Sequence, residues 1–149
     1  MPLSVTVRPG SIVGGDFRIV ELLGKGGMGE VFVAEQLSTS KRRALKVMKP
    51  ELVGDASLLA RFEQEARVGA RIESEHVVEV VAAGIDVGTG APYLAMELLE
   101  GEPLDRAIQR TGPMPLAGAS EGFAQLGRGL AAAHRGGVVD RDLEAGKGF

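Results

Sequence analysis

Nine residues, Leu23-Gly24-Lys25-Gly26-Gly27-Met28-Gly29-Glu30-Val31, limit what this chain can become more than any others. Their glycines are spaced G-x-G-x-x-G, and β-branched and aromatic sequence stands on both sides, at residues 17–23 and 31–34. That pattern predicts a strand, a tight glycine turn and a second strand. Glycine admits φ > 0 and lets the backbone approach another group with no Cβ in the way. Such a turn can therefore lay its N–H groups over phosphate oxygens. The dinucleotide-binding form of the motif opens a helix, with an acidic residue about 20 residues further on. Here an apolar strand follows instead, so a hairpin that merely contains glycines competes with the phosphate cradle until the downstream sequence is read.

A chain of 149 residues is long enough to bury a core and is most simply one domain. A net charge of −3 gives no general pull toward nucleic acid or an anionic membrane. The absence of cysteine excludes a disulfide framework and a cysteine–zinc site. The first ten residues lack the basic start and apolar core of a signal peptide, and no run approaches the ~20 apolar residues that span a bilayer. The expectation is a cytoplasmic chain with no membrane segment of its own, although a longer parent protein could still be membrane-anchored.

Residues 1–14 read as a loose lead-in, with Ile12-Val13 a candidate edge strand. Strands are predicted at 17–23, 30–36, 43–48, 77–83 and 91–99. In the third of these, alternation puts Ala44, Lys46 and Met48 on one face and Leu45 and Val47 on the other. An outward lysine on a solvated face is the plain account of Lys46; a functional account needs an acidic partner. Residues 55–73 predict a helix capped by Asp55, with Leu58, Phe62, Ala66 or Gly69, and Ile72 as its inward stripe. Glu65 falls on that apolar face, where a carboxylate is costly unless paired, and Lys46 is the obvious partner. Asp86 to Gly90 reads as a hairpin turn. Helices are predicted at 104–110 and 116–135, the second with Phe123, Leu126, Leu130 and Ala133 on one face. His76 reads as a turn or capping residue, since no second histidine or carboxylate set accompanies it, and no metal site is predicted.

In this order the pieces resemble the bacterial serine/threonine protein kinases. Gly24, Gly26, Gly29 and Val31 match the family's G-x-G-x-x-G-x-V loop, and Ala44-Leu45-Lys46 matches its strand-three lysine motif. Residues 62–66, Phe-Glu-Gln-Glu-Ala, resemble its helix C, with Glu65 the glutamate. Residues 93–101 resemble the strand that runs into the hinge, and Val138-Val139-Asp140-Arg141-Asp142-Leu143 resembles the approach to the catalytic loop. The resemblance implies an α+β fold: a small lobe at 15–100 made of a five-stranded antiparallel sheet plus helix C, then the start of a helical large lobe at 101–149. It also implies ATP as ligand, Mg²⁺ as its companion ion and a protein hydroxyl as substrate. By resemblance, Gly24, Gly26 and Gly29 cover the phosphates, and Leu23, Lys25, Gly27 and Met28 of the same loop belong to the ATP-binding set. Lys46, positioned by Glu65, holds the α- and β-phosphates. Val31 and Ala44 pack on adenine, Met96 is the gatekeeper, and the Glu97 carbonyl and Leu99 N–H bond the adenine edge. Asp142 is the residue that accepts the substrate proton.

The departures lie at the end of the chain. Asp140 replaces the histidine of the H-R-D-L-x-x-x-N motif, and Lys147 stands where an asparagine would hold Mg²⁺. An ammonium has no lone pair to donate. Glu144 stands where these kinases usually carry a lysine, and a carboxylate there repels the charge of the transferring phosphate. No Asp-Phe-Gly or Ala-Pro-Glu follows Asp142. The expectation is therefore a chain that lacks its Mg²⁺ ligands, is inactive in phosphate transfer alone, and leaves the apolar stripe of residues 116–135 exposed. Its partners would be ATP and either a protein substrate or the missing large-lobe segment.

Overall fold

The computed structural model describes residues 6–138. They fall into two compact units, one made of residues up to 70 together with Glu79–Leu98, the other of Arg71–Val78 together with the chain from 99 onward.

The first unit is built on an antiparallel sheet: β1 (Ile12–Val13), β2 (Phe17–Lys25), β3 (Gly29–Gln36), β4 (Lys41–Met48), β5 (Val80–Ile85) and β6 (Pro92–Glu97), in the order β1-β2-β3-β4-β6-β5. The sheet has six strands rather than five because Ile12 and Val13 pair with Arg18 and Phe17 at the edge of β2. Two bulges, between Ile19 and Glu21 and between Leu22 and Gly24, carry β2 two residues past its predicted end. The fourth predicted strand starts at Val80, not residue 77. The Glu79 N–H donates to the Glu97 carboxylate (3.0 Å) while its carbonyl accepts the Glu97 N–H (3.0 Å), and the Val77 N–H donates to the Ser74 carbonyl in a turn, so neither N–H enters the ladder.

The strands are two-faced. Val13, Phe17, Ile19, Phe32, Ala34, Leu45, Val47, Ala91 and Ala95 form the core of one face, each no more than 4% exposed. On the other face Met48 and Leu94 pack with Phe62 of helix α1 (Ala56–Arg71). Helix α1 begins where predicted: Asp55 Oδ1 accepts the N–H groups of Ser57 (2.9 Å) and Leu58 (3.1 Å), which have no partner inside the helix. Leu58, Leu59 and Ala66 join Phe62 against the sheet, and the helix crosses Val80 at Gly69, where a Cβ would lie 2.4 Å from a Val80 methyl. A 3-10 turn at Pro50–Leu52, not foreseen, leads from β4 into the helix.

The second unit contains α2 (Leu104–Thr111) and α3 (Leu116–Arg135), whose bounds match the expectation to within one residue. The Arg110 guanidinium donates to Glu102, tying the lead-in to α2, and holds that carboxyl below its usual range. Among the described residues no helix is long and apolar enough to cross a membrane.

Candidate functional site

Residues directly opposite in an antiparallel ladder share a face. The register pairs Val31 with Lys46, Lys46 with Leu94, and Ala44 with Met96. Val31, Ala44, Lys46 and Met96 therefore stand together on the sheet face over which α1 packs. Ala44 is buried; Val31, Lys46 and Met96 are half-buried.

The pair at the middle of this face is Lys46 and Glu65. The Lys46 ammonium donates to both carboxylate oxygens, at 3.0 Å to Oε1 and 2.8 Å to Oε2. The Lys46 side chain is 19% exposed and that of Glu65 44%. The structure thus brings together a strand residue and a helix residue 19 positions apart, with the carboxylate partly in water and the ammonium mostly withdrawn from it. Phe62, one helical turn before Glu65, places its ring 5.8 Å from the same Nζ.

The glycine turn is closed by a hydrogen bond from the Gly26 N–H to the Gly29 carbonyl (2.8 Å), and Lys25 faces Glu30 across it at 3.6 Å. None of Gly24, Gly26, Gly27 or Gly29 takes a φ in the left-handed range, so the expected backbone freedom is not what the turn uses. Close approach is used at Gly29 alone, where a Cβ would lie 2.4 Å from the Val47 carbonyl oxygen of the neighbouring strand. At Gly24 and Gly27 nothing lies within 4 Å of the position a Cβ would take, and the backbone there is open. Leu23 is 56% exposed at the bulge, and the Met28 carbonyl accepts the Lys49 N–H (3.0 Å).

Glu97 ends β6, its carboxylate engaged by the Glu79 N–H, and Leu99 belongs to the second unit. Asp142, with the whole stretch 139–149, lies outside the described residues. Among the described residues no group of three or more His, Cys, Asp or Glu side chains gathers that could hold a metal ion. Two concavities of the first unit, about 150 Å³ beside Phe32, Val47 and Pro50 and about 250 Å³ beside Ala66, Ile85 and Tyr93, include neither Lys46 nor the glycine turn. An open sheet face encloses no volume by itself, so the chemistry here is located by side-chain geometry rather than by cavity.

One buried acid escaped the reading of the sequence. Asp86, 6% exposed, accepts the Gly14 N–H (2.9 Å), the Thr89 N–H (2.9 Å) and the Thr89 hydroxyl (2.7 Å). Burial pushes its carboxyl up, but the donors from Gly14, Thr89 and Gly88 outweigh burial and hold it below the usual value. Its turn role was legible, whereas its reach to Gly14, 72 positions away, leaves no local signal. The Phe62 ring beneath Lys46 was legible only as a core position; its spacing of three from Glu65, which puts both on one helix face, was the available clue.

A family model described as protein kinase domain matches residues 17–146. The chain is 40% identical over 141 residues to serine/threonine-protein kinase pkn2 of Myxococcus xanthus, covering 93% of this chain and 16% of that protein. It is 37% identical over 142 residues to serine/threonine-protein kinase PknA of Mycobacterium tuberculosis, covering 93% of this chain and 33% of that one. The chain therefore spans a third or less of the length of these relatives. The crystal structure of the Mycobacterium tuberculosis PknI kinase domain superposes with a TM-score of 0.78 at 26% identity, covering 95% of this chain and 58% of that one.

Proposed function

The chain belongs to the bacterial serine/threonine protein kinase family, and from that premise we propose that it binds ATP on the sheet face that carries Val31, Ala44, Lys46 and Met96. The observation that carries the reading is the Lys46 ammonium held at 2.8 and 3.0 Å from both oxygens of Glu65. A cation fixed in the middle of a strand, next to an apolar surface and opposite Val31 on the strand that leaves the open glycine turn, suits a ligand with an aromatic base at one end and phosphates at the other. Gly24 and Gly27, with nothing near their Cα hydrogens, leave room for phosphate oxygens. Leu23, Lys25, Gly26, Met28 and Gly29 complete the cover. The Glu97 carbonyl, at the end of β6, would bond the adenine edge.

Phosphate transfer to a protein Ser or Thr hydroxyl is the finer reading, with Asp142 accepting the hydroxyl proton. Mg²⁺ would neutralise phosphate charge in that reaction; among the described residues no group of three or more His, Cys, Asp or Glu side chains gathers to hold it. Lys147 and Glu144 favour a second reading, in which this chain binds nucleotide without transferring phosphate.

Thermal unfolding of the full chain with increasing ATP tests the binding. Binding to the folded state raises the midpoint by mass action, and the rise should vanish in Lys46→Met. A midpoint that ATP leaves unmoved would remove the nucleotide site. Incubation with labelled ATP, Mg²⁺ and a basic protein separates the two further readings: label that is lost in Asp142→Asn establishes transfer, and no label leaves binding alone.

A further inference from the structure

The Glu65 end of the Lys46–Glu65 pair is 44% exposed, and ion pairs open to water hold long side chains weakly. A lysine that must wait in one place for an anionic ligand needs a second fixed contact. Phe62 supplies one. It is 2% exposed and wedged against Met48 and Leu94, the two residues that flank Lys46 on its own face: Met48 two positions along β4, Leu94 directly opposite on β6. The ring is therefore anchored to the strands that carry the lysine, not only to the helix that carries the glutamate. Its centroid is 5.8 Å from Nζ, within the range at which an aromatic face attracts an ammonium. Phe62 and Glu65 sit one turn apart, so together they also fix the rotation of α1 against the sheet.

We propose that Phe62 is a positioning residue for Lys46, its ring face holding the ammonium where it meets Glu65 and where an incoming phosphate would find it. The consequence for ATP rests on the nucleotide reading above; the contact itself does not. A purely space-filling phenylalanine would show the same packing but no dependence on the charge above it.

The test separates the two by draining the ring of electron density without changing its shape. Phenylalanine with zero, one, two and three ring fluorines is placed at position 62 of the full chain, in the natural background and with Lys46→Met. The expected result is a stepwise fall in the folding equilibrium constant, about two- to fivefold in all, in the natural background only. ATP affinity should fall in the same order. Parallel trends in both backgrounds, or no trend, would overturn the proposal. Should fluorinated chains fold poorly, Phe62→Leu in the two backgrounds gives the same comparison: a larger penalty with Lys46 present supports the contact, an equal penalty removes it. ATP binding that survives Lys46→Met would sink the nucleotide site, while the stability trends still judge Phe62.

Discussion

Lys46 sits where two demands on one side chain can be separated. As a structural contact its pair with Glu65 is modest, because nearly half of the Glu65 side chain remains in water and such pairs contribute about 0–1 kcal/mol. As a placed charge it is the centre of the proposed site. Glu65→Gln should therefore cost at most about 1 kcal/mol in urea unfolding, yet weaken ATP binding about tenfold or more, since the ammonium loses the group that holds it. A variant that lost stability and affinity in proportion would show the pair to be merely structural. The glycines divide in the same way. Gly29→Ala forces a methyl against the Val47 carbonyl and should destabilise by about 1–3 kcal/mol. Gly24→Ala meets open space and should leave unfolding nearly unchanged while weakening ATP binding. Equal destabilisation of the two variants would contradict the geometry of the turn.

At the scale of elements, the sheet is held by something its strand order does not suggest. β1 and β5 are its opposite edges, yet Asp86, just after β5, grips the Gly14 N–H just after β1. The sheet curls so that its two edges approach, and one carboxylate fastens them. Tyr93 fills the corner, its ring 5.8 Å from that of Phe17 and so close to Gly14 and Gly84 that a Cβ at either would collide with it. Because the folded Asp86 carboxyl titrates below its unfolded value of about 3.9, its contribution is complete above that pH. It is lost as pH falls through the lower, folded value. Unfolding free energy followed from pH 7 to pH 2 should drop in acid, and Asp86→Asn should be less stable at pH 7 by about 1–2 kcal/mol and flatter in acid. An acid limb identical in the variant would assign the drop to other carboxylates. The same contrast explains which elements could be read from the sequence. Strands with alternating or β-branched runs, and helix α1 with its Asp55 cap and inward Phe62, are written in neighbouring residues. The start of β5 was misplaced because Val77 and Val78 have strand composition, but a turn hydrogen bond takes the Val77 N–H. Lys46 with Glu65 was legible because each face could be assigned from local periodicity. Asp86 with Gly14 was not, because only the curl of the whole sheet brings them together.

For the whole molecule, the two units differ in how they dispose of apolar surface. The first buries Phe17, Phe32 and Phe62 almost completely. In the second, α3 buries only small residues near its end, Gly129, Ala132 and Ala133, with Gly129 so close to the His76 carbonyl that a Cβ would lie 3.0 Å from it. Toward the start of α3, Leu116 is 87% exposed and Phe123 74%, and Leu126 is partly so. Of the predicted stripe, Phe123 and Leu126 thus stay in water while Ala133 is buried. Large apolar side chains left in water favour association. The full chain should accordingly self-associate as its concentration rises, and Leu116→Gln combined with Phe123→Gln should shift it toward monomer in sedimentation experiments. Because both substitutions lie on α3, in the second unit, and the residues of the strand face belong to the first, ATP-induced stabilisation should persist in that double variant. Association unchanged by the two substitutions would mean that some other surface joins the chains, whereas loss of the ATP response would mean that the sheet face alone does not make the site.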